Sequence, residues 1–353
     1  MISFRRRRQD DDVLTGADAL AAAEALVGNG RRLEAIDLLT DANRIAPDAT
    51  IEERLVRLRH GAFDELPRAP GLPAWPPEAP DLFPGARLPE VGRAELSSEV
   101  LRSGILRHGC LLVRGLVGPQ HVARLITDID TTMTAVEAWR RDRTTKGSPW
   151  FVPFMTPRAL GLGKERPWVV DGGGVWTVDS PRALFDVMET FADIGLDEPL
   201  SGYLGERPAL SVKKWTLRRV PVTPGTAFAP NWHQDGAFLG EGIRTVNFWL
   251  TLSHCGDTAP GLDIVPRRMD EILPTGTEGA LFDWSVGEGL VEKVAEETPI
   301  ARPIFEPGDA LFFDERLLHR TVVSDAMTHE RYAIESWFFA PSQYPADQLP
   351  VVF

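Results

Sequence analysis

Residues 244–252 alternate cleanly. Val246, Phe248, Leu250 and Leu252 fall on one side, and Thr245, Asn247, Trp249 and Thr251 on the other. A period of two marks a β-strand whose faces meet different surroundings. Shorter apolar runs predict further strands. Cys110–Arg114 is closed by Gly109 and Gly115. Ala310–Phe313 follows the turn Glu306-Pro307-Gly308-Asp309, and residues 331–340 form an aromatic-rich run. From Ala209 onward the chain reads mostly as short strands and turns, the pattern of a sandwich or jelly roll.

The first part of the chain has a different period. Ala17–Val27 is rich in Ala and Leu, and Gly28-Asn29-Gly30 breaks it. Leu33, Ile36, Leu39, Ala42 and Ile45 then recur at helical spacing before Pro47, and Ile51–His60 can form a third helix. The arrangement around Gly30, Ala35 and Pro47 resembles a single degenerate tetratricopeptide unit. A solenoid needs about three, so residues 1–64 are expected to be a helical arm. Its apolar stripe would pack on the main domain or, as a homo-oligomer contact, on a second copy of the chain. Pro67, Pro70, Pro73, Pro76, Pro77, Pro80, Pro84 and Pro89 make 65–90 a linker or a strap laid over the surface. Residues 91–353 form the main domain. A helix is predicted over Pro119–Trp139, with Val122, Leu125, Ile126 and Ile129 on one face. Residues 146–178 show no period, are rich in Pro, Gly and Trp, and are the candidate lid. Gly172-Gly173-Gly174 within them lacks the lysine and helix of a phosphate loop.

Composition narrows the function classes. The 353 residues carry 43% hydrophobic and 25% charged side chains, enough for a large core without staples. A formal net charge of -13 argues against nucleic acid as a partner, while leaving room for a local basic pocket. Cys110 and Cys255 are too few for a disulfide framework, so a reduced, cytoplasmic protein is expected. No stretch approaches the ~20 apolar residues of a membrane span. Arg5–Arg8 lead into Asp10, Asp11 and Asp12 rather than an apolar core, so they are read as a solvated terminus, not a signal peptide.

The chemistry concentrates in Asn231-Trp232-His233-Gln234-Asp235. Read as a strand, it places His233 and Asp235 on one side, an imidazole and a carboxylate facing one ion. A second histidine would complete a two-histidine, one-carboxylate facial triad, the set associated with non-haem Fe(II) oxygenases, with positions left open for substrate and O2. Of the remaining histidines (His60, His108, His121, His254, His319 and His329), His319 is the best candidate. It follows the Pro307-Gly308-Asp309 turn and the strand Ala310–Phe313, and a late strand of a jelly roll can return beside the first pair. Arg331 follows twelve residues later, in an apolar strand with Ala333, Ile334, Trp337 and Phe338. A buried arginine needs a partner, and its planar fork suits a carboxylate.

Over residues 91–340 the chain resembles the phytanoyl-CoA dioxygenase family of Fe(II)/2-oxoglutarate oxygenases. The resemblance lies in Trp232-His233-Gln234-Asp235-Gly236, Asn247-Phe248-Trp249-Leu250-Thr251-Leu252 and Pro260-Gly261-Leu262-Asp263-Ile264-Val265-Pro266. It continues in Pro307-Gly308-Asp309-Ala310-Leu311-Phe312-Phe313 and in Leu318-His319-Arg320 with Arg331. It implies a mainly β fold with added helices: a double-stranded β-helix (jelly roll, cupin-like) with iron at one mouth. It implies His233, Asp235 and His319 as metal ligands and catalytic centre, and Arg331 as the clasp for 2-oxoglutarate. Related halogenases carry Gly or Ala where the carboxylate stands, so Asp235 favours oxygenation. The expected cofactors are Fe(II), 2-oxoglutarate and O2, and the expected substrate is a small organic molecule. Trp249, Thr216 and Lys214 are the further candidates facing the co-substrate; Trp150, Trp168, Trp176, Arg244 and Arg320 are candidates for the substrate. A metal-dependent jelly-roll enzyme without 2-oxoglutarate, and a scaffold protein with a vestigial site, are the other classes compatible with the chain.

Overall fold

The structure, a computed structural model, describes residues 14, 16–68, 74–143, 148–155, 169, 172–222, 231–240 and 242–353. Strands β4 (Ala209–Val220), β5 (Thr245–Thr251), β7 (Ala310–Phe313) and β9 (Arg331–Phe339) lie in one large sheet. β1 (Glu90–Gly92) and β2 (Cys110–Arg114) extend it at one side, and β3 (Gly174–Trp176) and β10 (Pro350–Val352) both pair with β4. A second, smaller sheet pairs β6 (Gly261–Ile264) with β8 (His319–Val322). Antiparallel bridges His233–His319 and Ile264–Ala301 widen it. The chain therefore alternates between sheets: β4 in the large one, His233 in the small one, then β5, β6, β7, β8 and β9 in turn. This winding is the double-stranded β-helix.

Side-chain alternation decides which face meets which core. On β5, Val246, Phe248 and Leu250 join Phe312, Ile334 and Phe338 in a core shared with the helices. The opposite face gives Trp249, which joins Leu311, Phe313, Ala333, Trp337 and Phe339 against Leu262 and Ile264 of the small sheet. The turn into β7 requires a glycine. Gly308 has φ +93°, and a Cβ there would collide with the Val117 carbonyl.

The helical side is built from α4 (Ser98–His108), α5 (Pro119–Arg141), α6 (Pro181–Asp193) and α7 (Asp197–Leu204). The α5 prediction holds; α4, α6 and α7 lie where the strand-focused reading assigned no element. α6 places Ala183, Leu184, Val187, Met188 and Phe191 in the core at helical spacing.

The arm consists of α1 (Gly16–Gly28), α2 (Arg32–Ile45) and α3 (Ala49–Gly61). Asp48 caps α3 by accepting from the Thr50 and Ile51 amides. Its stripe, including Ala35, Leu39, Ile51 and Leu55, is covered by Phe185, Ala209 and Val352 of the main domain. Arg59 Nη1 donates to the Val352 carbonyl at 3.1 Å, and Arg182 pairs with Glu52 at 2.8 Å. The main domain of the same chain thus packs on the arm's stripe. The proline strap is also docked: the Leu82 amide donates to Ser103 Oγ, and Trp75 lies edge-on to Tyr203.

One buried charge in the helical layer has a measurable consequence. Asp128 of α5 is buried, and its Oδ2 has no partner among the described residues. Burial first, and then the Asp186 carboxylate on α6, raise its pKa to about 7, against the opposing pull of Arg124 and Arg182. A carboxyl whose folded pKa lies above its unfolded value favours folding while it is protonated. That contribution is complete below about pH 4 and is lost as pH rises through about 7. Thermal melting from pH 5 to pH 8 should therefore fall more steeply for the wild type than for Asp128→Asn. The difference should be on the order of a few kcal/mol across the window, and parallel curves would refute the assignment.

Candidate metal centre

His233, Asp235 and His319 come together. One potential ligand atom from each lies within 4.8 Å of the others, and among the described residues this is the one His/Cys/Asp/Glu group so arranged. The His233–His319 bridge sets the pair: each amide donates to the other's carbonyl at 3.0 Å, and the ring centroids are 4.3 Å apart. The sequence expectation that Asp235 shares a strand with His233 is not what places it. After His233 the chain turns, and Asp235 adopts helical angles (φ -64°, ψ -23°) at the start of α8 (Gly236–Leu239). The Gly236 amide, donating to the Glu315 carbonyl at 3.0 Å, ties this turn to the segment before His319. A Cβ at Gly236 would meet the end of the Ile272 side chain, which would have to shift.

Both imidazoles are oriented by backbone. His233 Nδ1 sits 2.9 Å from the Asn231 carbonyl, and His319 Nδ1 3.0 Å from the Leu317 carbonyl. Each Nδ1 donates there, which leaves both Nε2 atoms with lone pairs directed at the cluster. Burial, helped by the neighbouring His319, lowers the His233 pKa to about 4. Burial would raise the Asp235 carboxyl, but Lys214, His319 and His233 together hold it below its usual range. A neutral imidazole beside an ionised carboxylate is the protonation state in which these groups bind a metal. The donor set fits a divalent first-row metal that keeps open positions.

The other histidines are engaged elsewhere. His254 is half-exposed between Asp257 and Glu306, His108 pairs with Asp81, and His60 Nδ1 contacts the Pro350 carbonyl. Nδ1 of His329 lies beside the Thr328 hydroxyl. His121 lies against Thr190 and Arg124.

Arg331 is completely buried at the other end of β6. Its Nη1 donates to the carbonyls of Pro260 (3.2 Å) and Gly261 (3.1 Å). Its Nε and Nη2 have no hydrogen-bond partner, and no carboxylate lies within ion-pair distance, among the described residues. Burial lowers its pKa to about 10, so it remains charged at neutral pH. Trp249 lies beneath the guanidinium, 5.3 Å from ring centroid to Cζ, with its own Nε1 also unpartnered. In register, Gly261 pairs with Val322 and Ile264 with His319. The ends of β6 that carry the two features are therefore about 10 Å apart along the strand, at ~3.3 Å per residue.

Lys214 and Thr216 do face the barrel interior, since their neighbours Trp215 and Leu217 occupy the helix-side core. Lys214 Nζ lies 3.4 Å from Asp235 Oδ1 and 3.7 Å above the Phe238 ring. Thr216 Oγ1 donates to Glu335 Oε2 at 3.2 Å. Sequence reasoning missed Glu335, although its place two residues before Trp337 and four after Arg331 puts it on the interior face. Burial pushes its carboxyl up, but Arg218, Arg331 and Lys214 outweigh this and hold it below the usual range.

Several sequence candidates are placed away from the centre. Trp176 is buried in the helix-side core and Trp150 packs on it. Arg244 is buried over Trp75 and donates to the Leu204 carbonyl. Arg320 stacks on Trp232 and pairs with Asp263 and Glu288. Trp168 and most of the candidate lid lie outside the described residues. Cys110 and Cys255 are buried free thiols, and no described helix is long and apolar enough to cross a membrane.

No protein-family model matches the chain, and no curated protein matches it. Solved structures do. EctD from S. alaskensis with bound Fe is 16% identical with a TM-score of 0.46, over 75% of this chain and 84% of that one. AviO1 from Streptomyces viridochromogenes Tue57 is 19% identical with a TM-score of 0.44, over 71% and 98%. The non-heme alpha ketoglutarate dependent carbocyclase SnoK from nogalamycin biosynthesis is 12% identical with a TM-score of 0.45, over 71% and 86%. Likeness at this distance does not say what this chain binds or converts; its own side chains must.

Proposed function

We propose that this protein is an Fe(II)- and 2-oxoglutarate-dependent oxygenase that oxidises a small organic molecule and releases succinate and CO2. One observation carries the reading. A two-histidine, one-carboxylate cluster shares a barrel with a buried arginine whose Nε and Nη2 lack partners. A buried charge with unmet donors is costly. An arginine kept in that state fits a site whose carboxylate arrives from solution. A metal-dependent enzyme without an acidic co-substrate, or a scaffold with a vestigial site, gives no reason to keep it. The motifs quoted above make the phytanoyl-CoA dioxygenase family the finer expectation.

In this reading His233, Asp235 and His319 would hold iron. The bound metal supplies activation of O2, coupled to oxidation of the 2-oxo acid. The remaining work belongs to the chain. Arg331 binds the distal carboxylate through a two-pronged, charge-assisted contact. Trp249 supports the guanidinium from below and excludes water from the pair. Lys214 holds Asp235 Oδ1, leaving Oδ2, which lies 3.7 Å from His319 Nε2, on the ligand side. The backbone carbonyls of Asn231 and Leu317 fix both imidazole tautomers.

Calorimetric titration of 2-oxoglutarate into the anaerobic Mn(II) protein tests the assignment. Saturable binding at one site per chain, absent without metal, is expected. Metal binding with no 2-oxoglutarate heat would favour the jelly-roll enzyme of another type, and neither event would favour the scaffold.

A further inference from the structure

An aromatic surface stands open beside the metal cluster. Leu281, Phe282 and Trp284 are 65%, 43% and 41% exposed, in a barrel whose other large aromatic side chains are mostly buried. The segment that carries them is firmly built. Ser285 is buried, its Oγ donates to the Phe282 carbonyl and accepts from the Phe282 amide, and its carbonyl accepts from the Gly276 amide. The next amide, Val286, donates to the carbonyl of Trp232, the residue before His233. The segment that carries the rings is thus tied to the chain beside His233.

Their arrangement has a direction. Phe282 and Trp284 are stacked 2° from parallel, with centroids 5.3 Å apart. Trp284 meets the His233 ring edge-on at 5.7 Å, and Phe238 lies 6.1 Å from His233 and 6.3 Å from Trp284. Phe238 is covered by Lys214, so the surface left open belongs to Trp284 and Phe282. Holding two stacked rings with their outer surfaces in water costs hydrophobic free energy unless a ligand covers them.

We infer that the substrate carries a flat, apolar ring, and that Trp284 and Phe282 are the specificity-determining residues against which it lies. The inference rests on the metal-centre reading above and adds the substrate class to it. Trp284 meets the His233 ring edge-on, so a ring resting on the outer surface of this pair lies beside the cluster.

The test uses the full chain with Mn(II) and 2-naphthol as the ring probe. Bound Mn(II) shortens the relaxation of probe protons held near it, and the Mn(II) electron paramagnetic resonance signal reports metal occupancy separately. Strong, saturable relaxation of the naphthol ring protons is expected in the wild type. Glycerol, which has no ring, should show none. Trp284→Ala should weaken naphthol binding about tenfold or more, the scale of a lost aromatic contact together with its buried area, whereas Trp284→Phe should retain most of it. Phe282→Ala, which does not touch His233, should also weaken it and guards against local disturbance of the ligand. Naphthol relaxation unchanged in both alanine variants, or absent while Mn(II) is bound, would overturn the inference and leave the metal reading standing. Absence of bound Mn(II) would overturn both.

Discussion

Asp235→Ala is expected to abolish tight binding of Fe(II) or Mn(II), with the fold intact. The carboxylate is one of only three protein ligand groups in the cluster, and alanine offers no replacement. The backbone around it does not depend on the side chain. The Gly236 amide still bonds the Glu315 carbonyl, and the Leu239 amide still bonds the carbonyl of residue 235. Loss of an outer-shell partner commonly costs 10–100-fold in metal affinity, so loss of a ligand itself should exceed ~100-fold. His319→Ala should behave the same way. His254→Ala should retain normal affinity, because His254 is half-exposed and held by Asp257 and Glu306. Metal stoichiometry by elemental analysis, with circular dichroism as the check on folding, decides the matter. Normal iron content in Asp235→Ala, or loss of iron in His254→Ala alone, would contradict the assignment.

Arg331→Ala should lose 2-oxoglutarate while keeping the metal. Hydrogen bonds to charged groups contribute ~1.5–3 kcal/mol each, and two of them are at stake. Affinity should therefore fall about a hundredfold or more, at ~1.4 kcal/mol per factor of ten. Arg331→Lys preserves the charge without the planar fork and should recover only part of the affinity. The ligand-free proteins should melt close together. A structural arginine would leave an ion-paired carboxylate behind on removal; Glu335 feels the Arg331 charge, but no carboxylate lies within ion-pair distance of Arg331 among the described residues. What the variant gives up is two donations to the Pro260 and Gly261 carbonyls and the stacking on Trp249. What it removes is a buried charge whose Nε and Nη2 have no hydrogen-bond partner among the described residues. Because ligand stabilisation tracks affinity, 2-oxoglutarate should raise the melting temperature of the Mn(II)-loaded wild type and not that of Arg331→Ala. Equal upward shifts in both would exclude Arg331 as the clasp.

The sequence by itself determined the elements that rest on local periodicity: α1 to α3, α5, β2, β5, β7 and β9. It also separated the two faces of β5, because a period of two assigns each side chain to a core without knowing what that core contains. It named the three residues that the structure brings together, His233, Asp235 and His319, together with Arg331, since few residue types can do that chemistry and the chain holds only seven histidines.

Tertiary structure decided the rest. Asp235 reaches the cluster from a helical turn and not from a strand, because the Glu315 carbonyl captures the Gly236 amide after His233 has paired with His319. Lys214, read as facing the co-substrate, has its Nζ 3.4 Å from Asp235 Oδ1, a contact between segments that local spacing does not reveal. Trp176 and Arg244 looked available to a substrate only until burial placed them in packed surroundings. Phe282 and Trp284 carried no periodic signal at all. Trp284 lies beside His233, and Phe282 on Trp284, in a segment tied by a backbone bond between Val286 and Trp232, and contacts across such sequence distances leave no trace in local spacing.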